Sequence, residues 1–283
     1  MDLLGHTRAL ADIAGKQLFF VGGAPRSGTT WLQQLLNAHP VCSCRGEGLF
    51  WAQLATPLDA LMAARGAELR KKNTDLFGHT GGYPLPDPAD TETLLGLAIL
   101  QALHRQSIGR EMRAVGEKTP ENVFFFPRLK ALFPTAKFIG IARDPRDVLA
   151  SAWHMFQPGA ATAGQLDFVR SDIPSLDQGA RIMLELGQIY PDDCRIVTYE
   201  TLHHAPMPAL TALFDLLGLR NDTALVTDCI NRTSFAAQSR ADGAARFLRK
   251  GVVGDWRETL TPEAAGMIVQ ALGWMFPNFG WEI

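Results

Sequence analysis

The chain has 283 residues, of which 47% are hydrophobic and 20% charged, and its formal net charge is −2. That length is enough for one large α/β domain or two small ones, and the composition supplies its core, which excludes a disordered or fibrous chain. The near-neutral balance excludes general adsorption to nucleic acid or to an anionic membrane, so an anionic ligand needs a pocket built for it.

In chain order, the opening MDLLGHTRALADIAGK carries acids and lacks both a basic leader and an apolar core, so no secretory signal is expected. Next, LFFVGG at 18–23 is a short apolar run, followed by a turn and then by TWLQQLLNAHP. Trp31, Leu32, Leu35 and Leu36 share a helical stripe that Pro40 ends, giving strand, glycine turn and helix in succession. The run LLGLAILQAL at 94–103 is too short to span a bilayer and is expected as a buried helix.

A second strand–turn–helix unit starts at KFIGIA, 137–142, with Asp144 as N-cap and Pro145 in the first turn of a helix reaching about Phe156. A third strand is expected at CRIVTYE, 194–200, before a helix PALTALFDLLGL that ends at Gly218. The stretches 77–90 and 157–179 have turn composition and are expected as loops over the sheet's carboxyl edge. No linker or repeat divides the chain, so residues 1–283 are expected to form one domain. Its central sheet is mostly parallel and flanked by helices on both faces, a P-loop-like nucleotide-binding architecture.

The turn FFVGGAPRSGTT departs from the triphosphate loop GxxxxGK[ST], because Gly28 is followed by Thr29 where a Lys would stand. What remains suits an oxyanion. Backbone N–H groups of the turn, with Ser27 and Gly28 in it, point toward one spot where the helix N-terminus adds about half a positive charge, Thr29 and Thr30 add hydroxyls, and Arg26 adds a planar cation. Arg143 and Ser151, eight residues apart across the second unit, converge on a further phosphate, unless Arg143 merely pairs with Asp144 or Asp147. In FLRKGVVGDW at 247–256, Arg249 and Lys250 precede the flexible Gly251. The four cysteines, 42, 44, 194 and 229, do not have the spacing of zinc ligands and are expected as reduced thiols in a cytoplasmic protein, although Cys42 and Cys44 are close enough to pair under oxidation.

Over about residues 18–256 these stretches resemble the sulfotransferases that use 3′-phosphoadenosine 5′-phosphosulfate (PAPS). The resemblance implies that PRSGTTW holds the 5′-phosphosulfate, that Arg143 and Ser151 of IARDPRDVLAS hold the 3′-phosphate, and that Arg249, Lys250 and Gly251 of RKGVVGDW hold it too. It further implies Trp31 stacked on adenine, Thr233 and Phe235 touching the base, and Tyr199 beside it. The donor would be PAPS and the product adenosine 3′,5′-bisphosphate (PAP), with no metal required.

In the cytosolic branch of that family a Lys-Thr-His stretch supplies the base, but here GEKTPEN puts Pro120 in the place of that His. The carbohydrate and tyrosyl-protein branches use a Glu shortly after the first helix, and Glu47 of HPVCSCRGEGLFW stands there. Glu47 is therefore the expected base, with Glu117 as the alternative, while Lys118 and Arg26 neutralise charge on the departing phosphate.

The implied partner is a small-molecule acceptor with a hydroxyl, or as second choice an amine. A saccharide or a peptide tyrosine stays open, as does a homo-oligomer, whereas nucleic acid and membrane are not expected as partners. Acceptor choice is expected to lie in loops at 48–115 and 157–190, where Phe50, Trp51, Phe77, Tyr83, Trp153 and Phe156 are candidates for an apolar pocket. A nucleotide kinase and a non-enzymatic sensor of the bisphosphate nucleotide are the competing functions. The missing GK[ST] speaks against the first, and the presence of Glu47 and Lys118 against the second.

Overall fold

A computed structural model describes residues 2–78, 80–159, 161–233 and 252–283. Five strands, β1 (Gln17–Gly23), β2 (Cys42–Gly46), β3 (Ala114–Lys118), β4 (Lys137–Ala142) and β5 (Cys194–Thr198), form one parallel sheet in the order β2-β3-β1-β4-β5. Parallel strands need covering on both sides, and the alternation along β1 shows how this sequence provides it. Phe19 and Val21 face a core with Ile139 and Ile141, whereas Leu18 and Phe20 face a second core with Val115 and Phe138.

The first core is closed by α2 (Thr29–Asn37), through Leu32, Leu35 and Leu36, and by α9 (Pro206–Leu216) and α10 (Thr223–Arg232). The second is closed by α4 (Pro88–Ser107) and α5 (Asn122–Leu132). A third cluster joins α6 (Pro145–Phe156) and α7 (Gln165–Ile189) to the helix Pro262–Leu272. From β1 the chain leaves through α2 for β2, beyond β3, and later returns to β4 on the other side. The carboxyl end of β1 is thus the switch point where ligands bind in open α/β sheets.

Two expectations about loops are corrected. Of the loop expected at 157–179, residues 165–179 are helical instead: α7 is a 25-residue helix that begins at Gln165 and contains Pro174. A helical stripe of buried Val169, Leu176, Ala180, Met183 and Leu186 holds it against its neighbours, and this packing outweighs the bond and clash that an internal proline costs. The 48–115 region is likewise mostly helical, through α3 (Thr56–Lys72) and α4. Within 77–90 the irregular chain ends at Asp87, which caps α4 in a reciprocal pair with Asp90. The third strand stops at Thr198, and Tyr199 already opens α8 (Tyr199–His204). The helix before Gly218 ends at Leu216, and Gly218 has the left-handed φ of 62° that a glycine C-cap requires.

Candidate active site

The glycine turn sits at the carboxyl end of β1. Arg26, at φ 70°, and Gly28, at φ 101°, both occupy the left-handed region, which costs a non-glycine residue roughly 1–2 kcal/mol. Gly28 precedes α2 and has the Tyr199 ring against it: a Cβ there would lie 2.6 Å from Tyr199 Cδ2. Tyr199 in turn meets the edge of Trp31, with ring centroids 5.3 Å apart, and carries the Arg143 guanidinium 4.3 Å above its face. Burial raises the Tyr199 phenol pKa, so it stays neutral beside that cation.

The side chains expected to hold phosphate gather around this turn. Arg26 Nε donates to Ser151 Oγ at 3.2 Å, and Arg143 Nη1 donates to the Arg26 carbonyl at 3.3 Å. Ser27 and Thr29 are buried, and Ser27 Oγ and Arg143 Nε are buried polar atoms with no hydrogen-bond partner among the described residues. Thr233 ends α10, its hydroxyl donating to the Cys229 carbonyl at 2.9 Å, and α10 packs on α2. Phe235, Arg249, Lys250 and Gly251 lie outside the described residues.

Strand register accounts for the other half of the site. Lys118 ends β3 level with Val21 on one side and with Gly46 of β2 on the other, so Glu47, one residue beyond, emerges at the same edge. Lys118 Nζ donates to Glu47 Oε1 at 2.6 Å and to Thr30 Oγ1 at 3.3 Å. The Lys118 side chain is only 4% exposed while that of Glu47 is 42% exposed, so the carboxylate stands at the mouth and the ammonium beneath it.

Glu117 is occupied differently. Its Oε1 accepts from the Gly48 N–H at 2.6 Å and from the Thr119 hydroxyl, and its Oε2 accepts from Asn122 Nδ2 at 2.8 Å. Burial raises its pKa against the opposing pull of these donors. Asn122 also donates to the Val21 carbonyl at 3.1 Å, so Glu117 and Asn122 tie the 47–49 segment to the central strand.

Asp147 is the residue whose part the sequence concealed. It is buried, its Oδ2 accepts from the Gly254 N–H at 2.7 Å, its Oδ1 accepts from the Trp256 N–H at 3.0 Å, and Arg143 lies 3.7 Å away. Arg143 Nη2 also donates to the Val252 carbonyl at 3.0 Å. The segment Val252–Trp256 is thus clamped to α6 and to the arginine at the end of β4. An acid four residues beyond Arg143 was the visible signal, but only the fold shows that its main partners are backbone N–H groups a hundred residues away.

The aromatic residues considered for an acceptor pocket do not gather in one place. Trp51 packs on Phe125 and Trp153 on Phe168, while Phe77, Tyr83 and Phe156 are exposed. Of the six, only Phe50 lines the cavity of about 480 Å³ that opens beside Glu47. Its wall also includes Arg45, Arg105, Arg110 and Glu117.

A parallel sheet with a glycine turn at its central strand, a helix N-terminus behind that turn, and cations from neighbouring strand ends define a nucleotide-phosphate-binding α/β protein of the P-loop type. The model of the sulfotransferase family matches residues 19–223, and the chain belongs to that family. It is 28% identical to protein-tyrosine sulfotransferase 2 of Gallus gallus over 218 residues, which are 74% of this chain and 53% of that protein. It is 29% identical to protein-tyrosine sulfotransferase 1 of Danio rerio over 210 residues, 74% of this chain and 55% of that one. The chain therefore spans little more than half the length of these two relatives. Among solved structures, a mouse sulfotransferase complexed with PAP superposes with a TM-score of 0.60 at 16% identity, covering 98% of this chain and 91% of that one. At that identity the likeness shows the fold. Among the described residues no helix is long and apolar enough to cross a membrane.

Proposed function

We propose that the protein transfers a sulfuryl group from PAPS to a hydroxyl of a small-molecule acceptor, with Glu47 as the general base. The observation that carries this reading is Lys118 Nζ, held between Glu47 Oε1 at 2.6 Å and Thr30 Oγ1 at 3.3 Å. A base, a cation and a phosphate-loop hydroxyl thereby meet at one point. The donor fits the residues on physical grounds: Ser27 Oγ and Arg143 Nε are buried atoms that phosphate oxygens would satisfy, and the Trp31–Tyr199 pair offers a ring surface beside them.

In this reading the acceptor oxygen bonds to sulfur as the bond from sulfur to the leaving phosphate oxygen breaks. The acceptor proton passes to the Glu47 carboxylate. Lys118 and Arg26 hold charge that grows on the leaving oxygen, so alignment and fixed cations supply the catalysis. Arg143 and Ser151 orient the far phosphate, and the family resemblance adds Arg249, Lys250 and Gly251 to its ligands. Glu117, with three donors on it, serves as a positioning residue for Gly48 and hence for Glu47. Four free, buried cysteines support a reducing, cytoplasmic setting. A peptide tyrosine as acceptor is a second reading, favoured by the two protein-tyrosine sulfotransferases among the relatives.

Thermal-shift titration tests the donor site, since PAP at a hundred times its Kd stabilises the fold by about 2.7 kcal/mol. Protection by ATP-Mg and not by PAP would overturn the assignment. Glu47→Gln is expected to bind PAP as wild type does and to lose about 10²–10⁴-fold in turnover; unchanged turnover would remove Glu47 from the base's role.

A further inference from the structure

Five charged residues line the cavity beside Glu47: Arg45, Arg105 and Arg110, and the acids Glu47 and Glu117. Along β2, Cys42 and Cys44 enter the core, so Ser43 and Arg45 point to the opposite face, where α4 ends. There Gln106 fixes the helix end by donating to the Gly116 carbonyl at 2.8 Å and accepting from Ser43 Oγ at 3.2 Å. That anchoring brings Arg105 of α4 and Arg110 of the turn after it to the same cavity wall as Arg45. Its other two charged residues are already compensated. Glu47 is paired with Lys118, and Glu117 is buried beneath three donors. No ion pair of Arg45, Arg105 or Arg110 is present among the described residues. The C-terminus of α4 contributes only about half a negative charge against three guanidinium groups.

We infer that this cavity is the acceptor site and that it takes a small hydroxy acid, whose carboxylate is held by Arg45, Arg105 and Arg110 while its hydroxyl reaches Glu47. The inference rests on the reading of Glu47 as the group facing the acceptor. Guanidinium groups bind carboxylates bidentately, and a volume of about 480 Å³ lies in the range of small-molecule sites. Phe50 supplies an apolar wall for the carbon skeleton. Because the arginines stand outside the donor site, they select the acceptor without entering the transfer itself.

The test is calorimetric titration of the PAP-saturated protein with three matched pairs: 4-hydroxyphenylacetate, 3-hydroxydecanoate and glucuronate, each against its methyl ester. In at least one pair the carboxylate is expected to bind about tenfold or more tighter than the ester, the increment of one charge-assisted contact. The exposed double variant Arg105→Gln/Arg110→Gln should bring that pair to within about twofold while binding PAP as wild type does. Equal affinities in every pair, no binding of any carboxylate, or a preference that survives the double variant would each overturn the inference. PAP binding is measured in the same samples and reports on the donor site separately. If PAP does not bind, the donor reading fails, and the same titrations in the absence of nucleotide still decide the carboxylate preference.

Discussion

Replacing Asp147 with alanine should break both the fold's C-terminal clamp and the geometry of Arg143. The carboxylate accepts two backbone N–H groups at 2.7 and 3.0 Å and stands 3.7 Å from Arg143, all at a buried position. Hydrogen bonds to a charged group contribute about 1.5–3 kcal/mol each, and removing one partner of a buried ion pair costs about 3–5 kcal/mol. These figures describe overlapping contacts, so the expected loss is about 3–5 kcal/mol, against a typical domain stability of roughly 5–15 kcal/mol. Asp147→Asn keeps one acceptor but turns an amide N–H₂ toward the other backbone donor, and should lose about half as much. Urea unfolding with an unchanged slope would measure the loss as a shift in midpoint. PAP titration is the second readout: with Arg143 and Val252–Trp256 both released, affinity for PAP should fall about tenfold or more in the alanine variant. A stability loss below about 1 kcal/mol would refute the clamp. A large stability loss with PAP affinity intact would show that the clamp does not position the phosphate site.

Further outcomes follow from the same geometry. Gly28→Ala should cost about 2–4 kcal/mol, since φ is 101° and the new Cβ would sit 2.6 Å from the Tyr199 ring; a smaller loss on denaturant unfolding would mean that the turn relaxes freely. Lys118→Ala should lower turnover by at least about 10²-fold and weaken PAP binding, and a change confined to KM for the acceptor would contradict its place at the leaving oxygen. For Glu117, burial raises the folded pKa above the ordinary carboxylate value, so the folded chain binds this proton more tightly than the unfolded one. Its contribution is therefore complete below about pH 4.3 and is lost as pH rises through the folded value. Wild type should accordingly lose stability relative to Glu117→Gln from pH 4 to pH 8; a gain relative to that variant over the range would refute the assignment.

Much of the local structure around the glycine turn was legible in the sequence because its signals are local. An apolar strand, a glycine that must adopt positive φ, and hydroxyl residues opening a helix lie within a dozen positions, and short-range sterics fix their arrangement. The same holds for Asp144 and Pro145 at the start of α6, where Asp144 accepts from the Arg146 N–H at 2.9 Å. The α7 helix was not legible, because Pro174 and the polar turn residues around it mask a buried stripe whose stability comes from tertiary partners. Two acids also changed their meaning in the fold. Glu117 stood in the sequence as a rival base and is enclosed by three donors, while Asp147 stood as a neighbour of Arg143 and holds backbone at 254–256.

The sequence by itself determined the strand–turn–helix units, since backbone sterics and residue type act over a few positions. Tertiary structure alone decided that Glu47 meets Lys118, because their contact depends on the pairing of β2 with β3, strands separated by some seventy residues. It also decided that Arg45, Arg105 and Arg110 share one cavity, for their common wall exists only where the end of α4 is pinned against the sheet.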